Sequence, residues 1–107
     1  MTKRMFLGII AVLCLCTILR ADIRLPAVIG DNMVLQQQTS AVIWGWAEPE
    51  EEITAAAGWG LDEVKTVSNK DGKWELKLQT PKAGGPYAVT LKGKNTITLN
   101  NVMIGEV

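Results

Sequence analysis

The 107-residue chain contains no histidine, and its only two cysteines, Cys14 and Cys16, lie in an apolar stretch near its start. Without histidine, no Ser-His-Asp relay can be assembled within the chain. Without a cysteine after residue 16, the rest of the chain has no disulfide, no thiol nucleophile and no thiolate metal site. We therefore predict no catalytic, cofactor-binding or metal-binding residue here, and a stability that rests on packing alone.

Long apolar runs are also absent, except for one at the start of the chain. Lys3 and Arg4 precede an apolar run from Met5 to Leu19, and the small residue Ala21 follows shortly after. This order is typical of a secretory signal peptide. The run is shorter than the roughly 20 residues that a membrane span needs, so a retained membrane anchor is the less favoured alternative. We predict a signal peptide over residues 1–21 and a periplasmic or extracellular mature chain, 22–107, with no stable membrane anchor.

Positive charge is scarce once the predicted signal peptide is removed. Residues 22–107 keep 8 of the 11 basic residues against all 11 acidic ones, a net charge of −3. Because phosphate contacts supply most of the affinity for nucleic acids, we expect no nucleic-acid partner. The densest acidic run is Glu48 with Glu50–Glu52, which lacks the ligand spacing of calcium loops. A solvated loop is favoured there over a calcium site or an acid/base pair of carboxylates.

Helical periodicity is absent as well. No window of residues 22–107 repeats apolar side chains every 3.6 residues. Short runs of β-formers occur instead, separated by turn-forming residues. In the clearest run, Trp74, Leu76 and Leu78 alternate with Glu75 and Lys77. This alternation predicts a strand with one buried and one solvated face.

The turn signals predict how these strands follow one another. Residues 68–72 contain Asp-Gly and predict a tight hairpin, and residues 93–95 predict a second hairpin. Residues 81–86 are rich in proline and glycine and predict a loop, whereas residues 96–99 and 102–104 predict two separate strands. Eight or so short strands with regular turns predict an all-β fold, an antiparallel β-sandwich of jelly-roll or immunoglobulin-like type.

Four tryptophans dominate the aromatic content. Trp44, Trp46 and Trp74 lie in strand-like runs. A thin sandwich needs large side chains to fill its interior, so we predict that these three belong to the core. Trp59 lies between two glycines, which indicates a loop tip or an edge. It is therefore the one predicted surface contact, with a glycan or with a neighbouring domain.

The serines offer little nucleophilic chemistry. Ser40 precedes a strand-like run and Ser68 opens a predicted turn. Hydroxyls at such positions commonly hydrogen-bond to nearby backbone groups. We therefore do not expect either serine to act as a nucleophile.

Four stretches together resemble one family. Residues 25–37, LPAVIGDNMVLQQ, closely resemble the opening of bacterial sialate O-acetylesterases, and the string GDNMVLQ is fairly specific. Residues 42–49, VIWGWAEP, and residues 71–74, DGKW, follow in the expected order. Residues 101–107, NVMIGEV, resemble the strand that leads into the nucleophile motif of that family. One position departs from the pattern, because Glu50 stands where relatives usually have a glycine.

The resemblance implies a parent enzyme that removes acetyl esters from O-acetylated sialic acids outside the cytoplasm, without a metal or organic cofactor. In that family a serine motif of the SGNH hydrolase type follows, with an Asp-x-x-His element far downstream, and this sequence contains neither. Residues 22–107 would then be the N-terminal sandwich leading into an SGNH domain, its partner in cis, and would be inactive alone. The alternatives are an independent carbohydrate-binding module that uses Trp59, or an immunoglobulin-like interaction domain.

Overall fold

The computed structural model describes residues 22–60 and 62–107, so the predicted signal peptide lies outside the described residues. The described part contains seven strands. They are β1 (Val34–Gln36), β2 (Ser40–Trp46), β3 (Glu52–Ala57), β4 (Val64–Val67), β5 (Lys73–Gln79), β6 (Gly84–Lys92) and β7 (Thr96–Gly105).

The strands form two sheets. One has five strands in the order β1-β7-β6-β3-β4, and the other has the two strands β2-β5. Neighbouring strands run antiparallel, except that β1 lies parallel to β7. The predicted fold class is confirmed: the described residues form a curled, sandwich-like all-β fold.

The core lies between the two sheets and contains the apolar face of β5. The alternation predicted for this strand is confirmed, because Trp74, Leu76 and Leu78 are buried and the residues between them are exposed. Fully burying one large apolar side chain contributes roughly 1.5–3 kcal/mol. The largest fully buried side chains are Trp74, Ile43, Ile53, Leu91, Val89 and Val102.

The turn over residues 68–72 does not join a hairpin. Gly72 has the positive φ predicted for it, 79°. However, β4 pairs with β3 and β5 pairs with β2, so the turn carries the chain from one sheet to the other. The backbone N–H of Ala47 donates to the Gly72 carbonyl at 2.7 Å, which ties the turn to the end of β2. The prediction of a hairpin here is therefore wrong, whereas the hairpin formed by β6 and β7 is confirmed.

The two strands predicted at residues 96–99 and 102–104 are one strand, β7. Tyr87 pairs with Val102 and Val89 pairs with Leu99, so three steps along β7 match two steps along β6. Asn101 takes up the extra residue in a left-handed conformation with φ of 54°, which asparagine adopts more readily than most residues. A bulge thus replaces the predicted break. The predicted loop also ends earlier than expected, because β6 begins at Gly84.

Candidate functional site

Both serines are engaged in hydrogen bonds. The buried Ser68 hydroxyl accepts the backbone N–H of Glu51 at 2.8 Å and donates to the Glu48 carbonyl. The exposed Ser40 hydroxyl donates to the side-chain amide oxygen of Gln79 at 3.1 Å. A serine nucleophile needs a base within hydrogen-bonding reach, and neither hydroxyl bonds to one. The backbone-bonding role predicted for serine is thus observed at Ser68.

The acidic run contains one buried carboxylate. Glu51 is 7% exposed, whereas Glu50 and Glu52 are exposed to solvent. The Glu51 carboxylate accepts the backbone N–H groups of Glu48 at 3.2 Å and Lys94 at 2.7 Å. It therefore fastens the β2–β3 loop to the β6–β7 turn. The solvated-loop interpretation is wrong for Glu51, because its side chain is buried between Glu48, three residues earlier, and Lys94, 43 residues later.

The Glu51 carboxylate lies close against the β6–β7 turn. A side chain on Gly93 would collide with the Glu51 carboxylate, and a Lys94–Glu48 ion pair closes the same corner. Among the described residues, no three His, Cys, Asp or Glu side chains are grouped so that they could hold a metal ion. This corner of the sandwich is a structural clamp.

Trp59 follows β3 and lies against the core instead of projecting from a loop tip. Its indole N–H donates to the Gln79 carbonyl at 2.9 Å, and its ring meets Tyr87 edge to face at 5.3 Å. It is partly buried and lines an open cleft of about 200 Å³ together with residues that include Asp62 and Val64. The role of Trp59 as a surface or glycan contact stays a prediction.

Trp44 and Trp46 lie on the face of β2 that points away from the core. Ile43 and Gly45, which alternate with them, are buried, whereas both indoles are only partly buried. Their rings meet edge to face at 5.2 Å with an interplanar angle of 71°. Trp44 also touches the edge of the core. The prediction of a core position is therefore wrong for Trp46, whereas Trp44 packs against the core from its edge. The outward orientation of this pair is the feature that sequence reasoning missed.

Cationic side chains cover this tryptophan pair. The guanidinium of Arg24 lies 5.9 Å from the Trp46 ring centroid, and the ammonium of Lys73 lies 5.1 Å from that of Trp44. Arg24 is placed there by a backbone bridge to Trp46, with N···O distances of 2.8 and 2.9 Å. The alternation of Lys73, Glu75 and Lys77 on β5 could have signalled the solvated face, but not which strand would pair with it.

Within residues 22–60 and 62–107, no helix has the length and apolar character needed to cross a membrane.

The fold and the contacts described so far define a small, sandwich-like all-β protein. Comparison with known proteins relates it to carbohydrate acetylesterases. The chain is 32% identical over 116 aligned residues to the sialate O-acetylesterases of Homo sapiens and Pongo abelii, and the alignment covers 94% of this chain. It is 33% identical to the sialate O-acetylesterase of Mus musculus over 94 residues. The matched region is 22%, 22% and 17% of those relatives, so the chain spans about a fifth of their length.

A solved structure supports the same relationship. A carbohydrate acetylesterase from Xanthomonas citri superposes with a TM-score of 0.72 and 26% identity, over 78% of this chain and 19% of that one. No family model matches. Over part of their length, carbohydrate acetylesterases, among them mammalian sialate O-acetylesterases, are therefore homologues of this chain.

Proposed function

We propose that residues 22–107 are the non-catalytic N-terminal sandwich of a secreted sialate O-acetylesterase. In this proposal the parent removes acetyl groups from O-acetylated sialic acids in the periplasm or outside the cell, after cleavage of a signal peptide. An SGNH domain in cis carries the serine and the histidine. The sandwich supplies no catalytic residue.

The observation that carries the proposal is the combination of partial homology with the absence of histidine. The alignment spans 94% of this chain but only 22% of its relatives, and the sequence contains no histidine for a serine-hydrolase relay. The hydroxyls of Ser40 and Ser68 also support the proposal, because their hydrogen-bond partners are not bases. Acetyl-ester hydrolysis would thus depend on residues that this chain does not supply.

The path of β7 also supports a lead-in role. Residues 101–105 form the end of β7, and β1 pairs with this end from Val34↔Met103 to Gln36↔Gly105. The Gln36 side-chain oxygen then accepts the backbone N–H of Val107 at 2.9 Å. These contacts fix the direction of the strand that, in the proposed parent, would carry the chain to the serine motif.

Two measurements test the proposal. We expect the purified chain to release no acetate from 4-nitrophenyl acetate above the level of a Ser68→Ala variant, and a fluorophosphonate probe to label neither serine. An authentic sialate O-acetylesterase serves as the positive control. Probe-labelled serine together with turnover would contradict the non-catalytic role. We also expect the DNA that follows the Val107 codon to encode an SGNH serine motif in one of its frames, and its absence there would contradict the proposed parent.

A further inference from the structure

The sheet formed by β2 and β5 has only two strands, so each strand has one edge without a neighbouring strand in the sheet. Such an edge presents backbone N–H and C=O groups that another strand can bind. Proteins usually protect a free edge with charged residues, with proline, with a bulge or with a covering segment. The free edges of β2 and β5 differ in how far they are protected.

Alternation along β2 identifies the backbone groups on its free edge. The backbone N–H and C=O of Trp46 bond to Arg24 on that side, at 2.9 and 2.8 Å. In an antiparallel ladder the N–H and C=O of one residue point to the same side, and every second residue repeats this direction. Ser40, Val42 and Trp44 therefore also direct these groups to the free edge, and the three residues are called the open edge. Within the described part of the chain, no backbone–backbone hydrogen bond outside the β2–β5 ladder reaches them.

The free edge of β5 is closed at both ends. The same alternation directs the backbone groups of Lys73 and Gln79 to that edge. The Lys73 N–H donates to the side-chain oxygen of Asn69 at 2.9 Å, and the Lys73 carbonyl accepts the Asn69 N–H at 2.8 Å. At the other end, the Gln79 carbonyl accepts the indole N–H of Trp59 at 2.9 Å. Another strand could reach β5 only between these two caps.

The free edge of β2 lacks most of this protection. β2 has 7 residues, none of them charged and none proline, and it pairs with β5 without a bulge. The edge strands of the other sheet are shorter, because β1 has 3 residues and β4 has 4, including Lys65. The Arg24 bridge covers only Trp46. Pro26 cannot extend this bridge, since it has no N–H and its carbonyl accepts the Ile29 N–H at 3.0 Å.

The open edge is complementary to a second copy of itself. Two copies of β2 can pair antiparallel about a two-fold axis at Val42, which places Val42 opposite Val42 of the partner subunit. Ser40 then lies opposite Trp44 of the partner subunit. Both positions become hydrogen-bonded pairs, so each backbone group of the open edge gains a partner. On the outer face, the contact covers Val42, which is 45% exposed, and no charge on β2 opposes it.

We infer that the open edge is a homodimer interface, in which a second copy of this chain extends the sheet to the order β5-β2-β2-β5. The ends of the edge agree with this register. Gln38, which would lie opposite Trp46 of the partner subunit, precedes β2 and has a left-handed φ of 52°. The strand therefore begins after the position where the Arg24 bridge would block it. The caps on β5 keep the assembly from growing beyond two copies. This inference does not depend on the proposed parent enzyme.

Sedimentation equilibrium and hydrogen exchange together test the inference. We expect the purified chain to reach the mass of two copies as its concentration rises. Backbone N–H exchange, followed by NMR, should slow with concentration at Val42 and Trp44 and stay unchanged at Lys77, whose N–H lies on the free edge of β5. A monomer at every soluble concentration would overturn the inference and would leave the edge to a strand of another domain or protein. Dimers without slower exchange at Val42, or larger open assemblies, would overturn it as well.

A matched pair of substitutions separates the open edge from other exposed apolar surface. Val42→Lys places two like charges opposite each other at the two-fold axis and should weaken dimerisation at least about tenfold. Val67→Lys makes the same change at a 58% exposed valine on the edge strand β4 and should alter dimerisation less than about twofold. Far-ultraviolet circular dichroism checks that both variants fold. Equal effects of the two substitutions on dimerisation would overturn the inference.

Discussion

The two faces of the β2–β5 sheet carry the same residue type in opposite situations. On the inner face, Trp74 is 1% exposed and packs so closely on Gly45 that a side chain there would lie 3.1 Å from the indole. On the outer face, Trp44 and Trp46 are partly exposed and are covered by long cationic side chains. The difference shows that a tryptophan in a thin sandwich is fully buried only where the second sheet packs over it. The inner indole is enclosed by the core, whereas each outer indole has a cationic side chain over its ring.

The largest expected effect follows directly from this difference. Trp74→Ala should lower the free energy of unfolding by about 3–5 kcal/mol, because it removes a buried ring and leaves a cavity. Trp44→Ala should lower it by only about 2 kcal/mol, because its ring is partly buried and loses one aromatic pair, one cation–π contact and a limited contact with the core. Urea unfolding followed by far-ultraviolet circular dichroism measures both.

A milder variant keeps this experiment interpretable if Trp74→Ala fails to fold. The indole N–H of Trp74 has no hydrogen-bond partner among the described residues. Trp74→Phe removes that buried, unpaired donor together with part of the ring, so it should cost less than Trp74→Ala. If Trp44→Ala proved as costly as Trp74→Ala, the distinction between the two faces would be wrong.

The same comparison explains how far the sequence could predict the fold. On β5, charged residues alternate with apolar ones, so the sequence alone identifies the buried face. On β2, the run from Ala41 to Trp44 is apolar at every position, and an unbroken apolar run does not indicate which face is buried. The strand was therefore predictable, whereas the side on which Trp44 and Trp46 lie was not. It depends on the pairing of β2 with β5, which is a long-range property.

The clamp at Glu51 was unpredictable for a related reason. Its run of glutamates resembles a solvated loop, and only the approach of the β6–β7 turn buries one of them. The bulge at Asn101 likewise depends on the register between β6 and β7. Local turn chemistry, by contrast, is visible in the sequence, as the positive φ of Gly72 shows. Local conformation was thus predicted better than the contacts between distant segments.

The acidic run shows the same contrast for glutamate, because Glu51 is buried and Glu52 is exposed. Glu51→Gln should lower the free energy of unfolding by about 1–2 kcal/mol, because an amide has one acceptor oxygen where the carboxylate has two and loses the charge that strengthens both bonds. Glu52→Gln, at the neighbouring exposed position, should change it by less than about 0.5 kcal/mol. Urea unfolding of the two variants measures the difference. Equal effects would mean that Glu51 does not act as a clamp.

The smallest expected effect concerns Glu50, which adopts a left-handed conformation with φ of 59°. In a residue with a Cβ this conformation is strained by about 1–2 kcal/mol. Glycine is not strained there, but the entropy that its backbone loses on folding costs about 0.5–1 kcal/mol more. Glu50→Gly should therefore raise the free energy of unfolding by about 0.5 kcal/mol, and its N–H can still donate to the Ser68 carbonyl. Glu52→Gly, the same substitution inside β3, should lower that free energy by about 0.5–1 kcal/mol, since strand conformation suits a side chain. If the free energy of unfolding rises with Glu50→Gly and falls with Glu52→Gly, then backbone conformation, and not charge, decides whether glycine is favoured. A decrease in the free energy of unfolding at both positions would contradict this explanation.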